Sequence, residues 1–136
     1  MIADNVKLTA PAEQWEREGI FSSWEPAFIE IPFEPRSGRT TAALSIIKKA
    51  NKAGKTAMLA TTHDQGRWLE RVMCFPRVWI AHIGDLDTLS RAGVLVVDDA
   101  ELMEVVFSKI YPRSGSLRAH LAKLVNARIY WLTRSV

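Results

Sequence analysis

Two short stretches of this sequence carry residue types that handle phosphate and metal. The first is Phe33-Glu34-Pro35-Arg36-Ser37-Gly38-Arg39-Thr40-Thr41, which reads as a strand-to-helix turn. A glycine, a cation and two hydroxyls at a helix N-terminus suit an anion. The first backbone N–H groups lack intrahelical partners there, and the helix dipole is positive. A threonine just behind the cation is placed to reach a magnesium ion that phosphates hold. The standard phosphate loop reads G-x-x-x-x-G-K-[ST]; here Phe33 stands at the first glycine and Arg39 at the lysine. Taken alone, the turn reads equally well as a plain connection containing a glycine. The second stretch is Val94-Leu95-Val96-Val97-Asp98-Asp99-Ala100-Glu101-Leu102. Four apolar residues ending in two acids describe a buried strand that delivers carboxylates to the edge of a sheet. Asp98 would hold magnesium through water, and Asp99 would polarise an attacking water near a terminal phosphate. The competing reading is that one of them caps the next helix, which acids at such a place do well.

Each stretch needs a strand before it and a helix after it, and the chain alternates accordingly. A strand is predicted over residues 27–32. A helix follows over 39–53, with Ala42, Ala43, Ile46, Ile47 and Ala50 inward and Gly54 as its stop. Next come a strand over 55–61, a helix over 63–73 with Trp68, Leu69 and Val72 inward, and a strand over 77–83. A short helix or turn at 85–92, ending at Gly93, leads to the strand 94–98, whose unbroken apolar run suits burial on both faces. Helices at 100–111 and 116–126, the second capped by Ser116, precede a last strand at 128–133. This rhythm predicts an α/β fold, a three-layer sandwich on a parallel five-stranded sheet. Ligands of such sheets bind beyond the carboxyl ends of the strands. Residues 34–41, 61–65, 98–101 and 133–136 then share one rim. Residues 1–24 read as an N-terminal arm, with a short helix around 13–18, and residues 25–136 as the domain.

Composition bounds the rest. At 136 residues with 48% hydrophobic and 24% charged, the chain makes one domain with a real core. Its apolar runs stay under about eight residues against the roughly 20 of a spanning helix. The acidic start lacks the basic, then apolar, pattern of a signal peptide. No membrane association is expected, and the cytoplasm is the expected location, that of the host for a viral protein. Cys74 is the single cysteine; it excludes an internal disulfide and paired-cysteine zinc sites and reads as a buried or inert thiol. His63, His82 and His120 read as core or surface residues. The net charge of +3 is compatible with nucleic acid without demanding it. Lys48, Lys49, Lys52 and Lys55 read as a solvated face; Arg113, Arg118, Lys123, Arg128 and Arg134 could line a nucleic-acid track, but no aromatics interleave with them convincingly. Neither G-x-S-x-G nor G-x-G-x-x-G occurs.

The turn and the acidic strand end occur in order, about 60 residues apart. Together they resemble the RecA-like core of the additional-strand P-loop NTPases, especially phage large terminase subunits and the first domain of superfamily-two helicases. Pro35-Arg36-Ser37-Gly38-Arg39-Thr40-Thr41 is similar to the arginine-rich loop of those families, and Val96-Val97-Asp98-Asp99-Ala100 to their apolar-Asp-Glu-Ala motif. Residues 60–67 sit where the families carry a motif that touches or couples to DNA. Leu132-Thr133-Arg134-Ser135 sits where they couple hydrolysis to movement. The resemblance implies that Ser37, Gly38, Arg39, Thr40 and Thr41 hold the phosphates of ATP. It further implies that Thr40 and Asp98 hold Mg2+ and that Asp99 is the catalytic carboxylate that polarises the attacking water. It also implies a sheet in which the last strand lies between the first and the acid-bearing strand, with strand 55–61 next and strand 77–83 outermost.

The departures have consequences. Arg39 keeps the charge of the usual lysine but not its compact geometry. Asp99 is one methylene shorter than the usual glutamate, enough to misplace a catalytic oxygen. Binding is expected to outlast turnover. A helicase needs two such cores and a large terminase a nuclease domain, so the expectation is a minimal or excised unit. One hypothesis is an ATP-binding, weakly hydrolysing protein linked to nucleic-acid processing or packaging in a phage or mobile element, acting with DNA and as an oligomer or with a protein partner. The other is a non-catalytic interaction module, a viral accessory protein that binds a protein or DNA partner.

Overall fold

Local sequence accounts for where several of the elements start and stop. The structure, a computed structural model, describes residues 23–33 and 38–134. The helix expected around 13–18, almost all of the arm, Ser37 and Ser135 lie outside the described residues. Strand β1 (Ala27–Phe33) alternates buried and half-buried side chains, as an edge strand with one covered face does. Helix α1 (Arg39–Lys52) buries Ala42, Ala43, Ile46, Ile47 and Ala50. It ends as Gly54 turns left-handed (φ 83°). The N–H of Lys55 then reaches back to Ala50 O and that of Gly54 to Asn51 O, both at 3.0 Å, which satisfies the last carbonyls. Asn51 fastens this end to β2 (Ala57–Thr61) by donating to Ala57 O at 3.1 Å.

Helix α2 (His63–Arg71) is capped by the Thr62 hydroxyl, which accepts from Gln65 N. A 3-10 turn (Arg77–Trp79) leads into β3 (Ile80–His82). Asp85 caps α3 (Leu86–Ser90), and β4 (Val94–Val97) follows. Helix α4 (Ala100–Ile110), α5 (Leu117–Ala122, capped by Ser116) and β5 (Arg128–Arg134) complete the chain.

All five strands are parallel, in the order β1-β5-β4-β2-β3. The last strand thus lies between the first and the acid-bearing one, as expected. Two apolar clusters fill the two faces. Ile46 and Ile47 of α1 and Leu69 of α2 pack with Ile31, Val94 and Val96 on one side. Met103 and Phe107 of α4 and Leu121 of α5 pack with Leu95, Val97 and Trp131 on the other. Strand β4 therefore gives alternate residues to opposite cores, which is why its sequence shows no alternation. Each fully buried Ile or Leu here contributes about 1.5–3 kcal/mol.

Several expectations are corrected. Residues 77–83 do not form one strand: the N–H of Trp79 turns back to Pro76 O at 3.0 Å, and only three residues pair with β2. Helix α2 stops at Arg71 and leaves Trp68 50% and Val72 61% exposed. It approaches the sheet through Gly66, where a Cβ would sit 3.0 Å from Thr61 Oγ1, and through Leu69. That orientation turns Trp68 and Val72 outward. Cys74 is exposed, in a left-handed turn (φ 51°). Helix α5 gives way to turns after Ala122.

Among the basic residues, Arg128 and Arg134 do not share one end of the sheet. Arg128 is buried at the amino end of β5, while Arg134 stands at its carboxyl end, about 20 Å away. Arg118 lies over the Phe28 ring at 4.6 Å and pairs with Glu30 at 3.6 Å.

Arg128 Nε donates to the Tyr130 hydroxyl at 2.7 Å inside the first core. Burial pushes the Tyr130 phenol above its ordinary 10.0, partly offset by that bond. The unfolded chain then releases the Tyr130 proton before the folded one does. The stability from keeping this phenol neutral is full below pH 10.0 and declines as pH rises above it. In alkaline denaturant titrations the native chain should lose stability more steeply than Tyr130→Phe; equal slopes would remove the effect.

Candidate functional site

The carboxyl ends of β5 and β4 and the start of α1 meet at one rim. Gly38 supplies the N-cap of α1 in the left-handed region (φ 87°, ψ 29°), with no side-chain cap and no acid in the first turn. The first intrahelical bond runs from Ala42 N to Gly38 O at 2.9 Å. The amides of residues 39–41 precede it and carry the positive end of the helix. A Cβ on Gly38 would meet nothing within 4 Å. Gly38→Ala should therefore cost only its backbone strain, about 1–2 kcal/mol, seen as a lower denaturant midpoint at unchanged slope.

The Thr40 hydroxyl donates to Asp98 Oδ2 at 3.0 Å, joining residues 58 apart in sequence. Asp98 is 2% exposed. Its other oxygen, Oδ1, faces Arg39 Nε at 2.8 Å. Neither of these two atoms has an aligned hydrogen bond, so charge alone holds them together. The Arg39 fork also reaches Asp99, with Nη2 3.6 Å from Oδ2.

Asp99 occupies the N-cap position of α4, yet it does not cap. Its backbone is left-handed (φ 56°, ψ 66°), and its side chain makes no cap bond. Such a conformation costs a non-glycine residue about 1–3 kcal/mol and persists where the surroundings enforce it. Here Asp99 Oδ2 accepts from Arg134 Nη2 at 2.9 Å. Asp99 in turn holds the Arg134 guanidinium even more firmly protonated than an arginine ordinarily is. The Arg134 N–H donates to Glu101 at 2.9 and 3.1 Å, which ties the end of β5 to the first turn of α4.

No protein-family model, curated protein or solved structure matches this chain. The site must be read from its own chemistry. Of the residues expected there, Gly38, Arg39, Thr40, Asp98 and Asp99 come together, and Thr41 stands exposed on the same turn. Ser37 lies outside the described residues. Sequence reasoning put Arg134 and Glu101 on the rim without assigning them to the site. The missing signal was register: Trp131 pairs with Val97, so Thr133 and Arg134 run past the end of β4 and over the acids.

Among the described residues no three His, Cys, Asp or Glu side chains converge on a metal position. One buried carboxylate beside one hydroxyl fits a different habit, that of Mg2+, which takes one or two carboxylates and completes its shell with phosphates and water. The Asp98 oxygen without an aligned hydrogen bond is the atom such an ion would use.

A cleft of about 180 Å³ lies at the carboxyl ends of β2 and β3, lined by Thr61, His63, Arg67, Glu70, Arg77 and His82 among others. The rings of His63 and His82 meet edge to face at 5.9 Å. His82 Nδ1 accepts from Gly84 N at 3.0 Å. His120 lies elsewhere, with Nε2 2.7 Å from Ser114 O. No helix among the described residues is long and apolar enough to cross a membrane.

Proposed function

We propose that this chain binds ATP with Mg2+ as a degenerate RecA-like P-loop domain serving nucleic-acid processing or packaging. The observation that carries the reading is the Thr40–Asp98 hydrogen bond at the mouth of an uncapped helix N-terminus. A hydroxyl from the phosphate turn and a buried acid from a neighbouring element are the pair that holds magnesium in P-loop proteins. The strand order supports the same reading, because one strand separates the phosphate turn from the acid-bearing strand.

In this reading the amides of residues 38–41, with Ser37, cradle the phosphates. Arg39 pairs with their oxygens, and Thr40 and Asp98 orient the metal. Bound Mg2+ neutralises phosphate charge and fixes phosphate geometry. Asp99 stands where a water would be polarised, but Arg134 and Arg39 both lie on its carboxylate. This favours a binder with weak hydrolysis. The cleft at the carboxyl ends of β2 and β3 carries Arg67, Arg77, His63 and His82 against a single acid, Glu70, 4.0 Å from Arg77, a balance that suits a polyanion such as DNA.

The test is thermal unfolding with Mg2+ and a non-hydrolysable ATP analogue. At a ligand concentration of about 100 times the dissociation constant, stability should rise by roughly 2.7 kcal/mol. Thr40→Ser should keep the gain and Thr40→Val lose it. No gain with any nucleotide would leave the interaction module as the better reading, with the exposed Trp68, Val72 and Met73 offering its docking side chains.

A further inference from the structure

We infer that Arg39 is a latch on the metal position. Asp98 accepts a divalent cation only once phosphate has drawn the guanidinium away, so the site takes the metal–triphosphate complex and refuses the free cation. This rests on the nucleotide reading above.

Asp98 has two oxygens and both are engaged, in different ways. Thr40 donates a directed hydrogen bond to Oδ2. Arg39 Nε stands 2.8 Å from Oδ1, where no donor is aligned. The guanidinium thus fills the coordination position by proximity of charge. A dication brought to Oδ1 meets that positive charge at a carboxylate almost closed to water, where repulsion is screened less than in solution. A phosphate changes the balance. It offers the arginine fork two oxygens in the bidentate geometry that Oδ1 does not provide. The Arg39 side chain is 24% exposed and borders the uncapped turn, so it can reach such an anion by rotating about its stem.

The neighbouring acid does not need Arg39. Arg134 holds Asp99 at 2.9 Å against 3.6 Å for Arg39. Release of the latch therefore frees Asp98 alone, the one acid that a metal uses here. Linkage then requires cation and triphosphate to strengthen each other's binding by the same factor.

Mn2+, whose free concentration is read by electron paramagnetic resonance, is the probe. It is titrated alone and with a non-hydrolysable ATP analogue into the native chain, Arg39→Gln and Arg39→Met. Both variants remove the charge while keeping a long side chain, so one can serve if the other fails to fold. The native chain should bind Mn2+ alone at least about tenfold more weakly than in the presence of the analogue. The variants should bind Mn2+ alone at least about tenfold more tightly than the native chain, and the analogue more weakly. Equal affinity of native chain and variants for Mn2+ alone, lowered in both by Thr40→Val, would overturn the latch and leave the nucleotide site standing. No Mn2+ binding by any version, with or without analogue, would overturn both.

Discussion

Asp98→Asn is expected to lower magnesium-dependent ATP affinity at least about a hundredfold. Outer-shell partners of bound metals are already worth about 10–100-fold, and among the described residues Asp98 is the one buried carboxylate, placed to touch this one. The substitution is close to isosteric. Its amide oxygen still accepts from Thr40, so the joint between α1 and the end of β4 survives. What disappears is the charge on which Arg39 leans. Arg39 is partly exposed and can turn to water or to Asp99, so stability should move by no more than about 1–2 kcal/mol. Titration calorimetry with Mg2+ and analogue measures the first quantity and denaturant unfolding the second. An affinity unchanged by Asp98→Asn would remove this residue from the metal position, and the nucleotide reading would lose its main support.

Turnover is the second large effect. Phosphate release by the purified chain should stay below about 1 s⁻¹, the low end of ordinary enzyme rates, with or without DNA. Asp99 carries the role of the water-polarising acid, yet its Oδ2 bears Arg134 at 2.9 Å and Arg39 at 3.6 Å, and its Oδ1 is buried without a hydrogen bond. A carboxylate so engaged is not free to turn toward a water. An arginine finger supplied by a partner is worth about 10³–10⁵ in rate, whereas Arg134 is spent on Asp99 and Arg39 takes the place of the usual lysine on the phosphates. Asp99→Glu and Arg39→Lys together should raise the rate while the fold holds, since they restore reach and a compact cation. Native turnover at 1 s⁻¹ or faster would replace the degenerate-site reading with that of a working enzyme.

How much of this was legible beforehand differs between elements. Helix α1 was plain because its apolar residues keep helical spacing and Gly54 ends it. Strand β4 was plain because a strand feeding both cores has no polar face to show. The end of α2 was not, because Trp68 and Val72 match a buried stripe in periodicity. Only the close approach at Gly66 decides which face of the helix meets the sheet. The short β3 was hidden for a similar reason: an apolar run does not reveal that its first residues turn back on Pro76.

The sequence by itself determined the alternation of strands and helices, and with it a parallel sheet whose carboxyl ends collect Gly38, Arg39, Thr40, Asp98 and Asp99. Those follow from local periodicity and from glycine and cap positions, which act over a few residues. Tertiary structure alone decided what these side chains do to one another. That Asp99 abandons its capping place for Arg134 depends on β5 extending past the end of β4, a matter of register between strands distant in sequence. That Arg39 lies on Asp98, and not in solvent, depends on a buried carboxylate needing a counter-charge within reach. Burial and register are properties of the packed sheet, so no local pattern of residues encodes them.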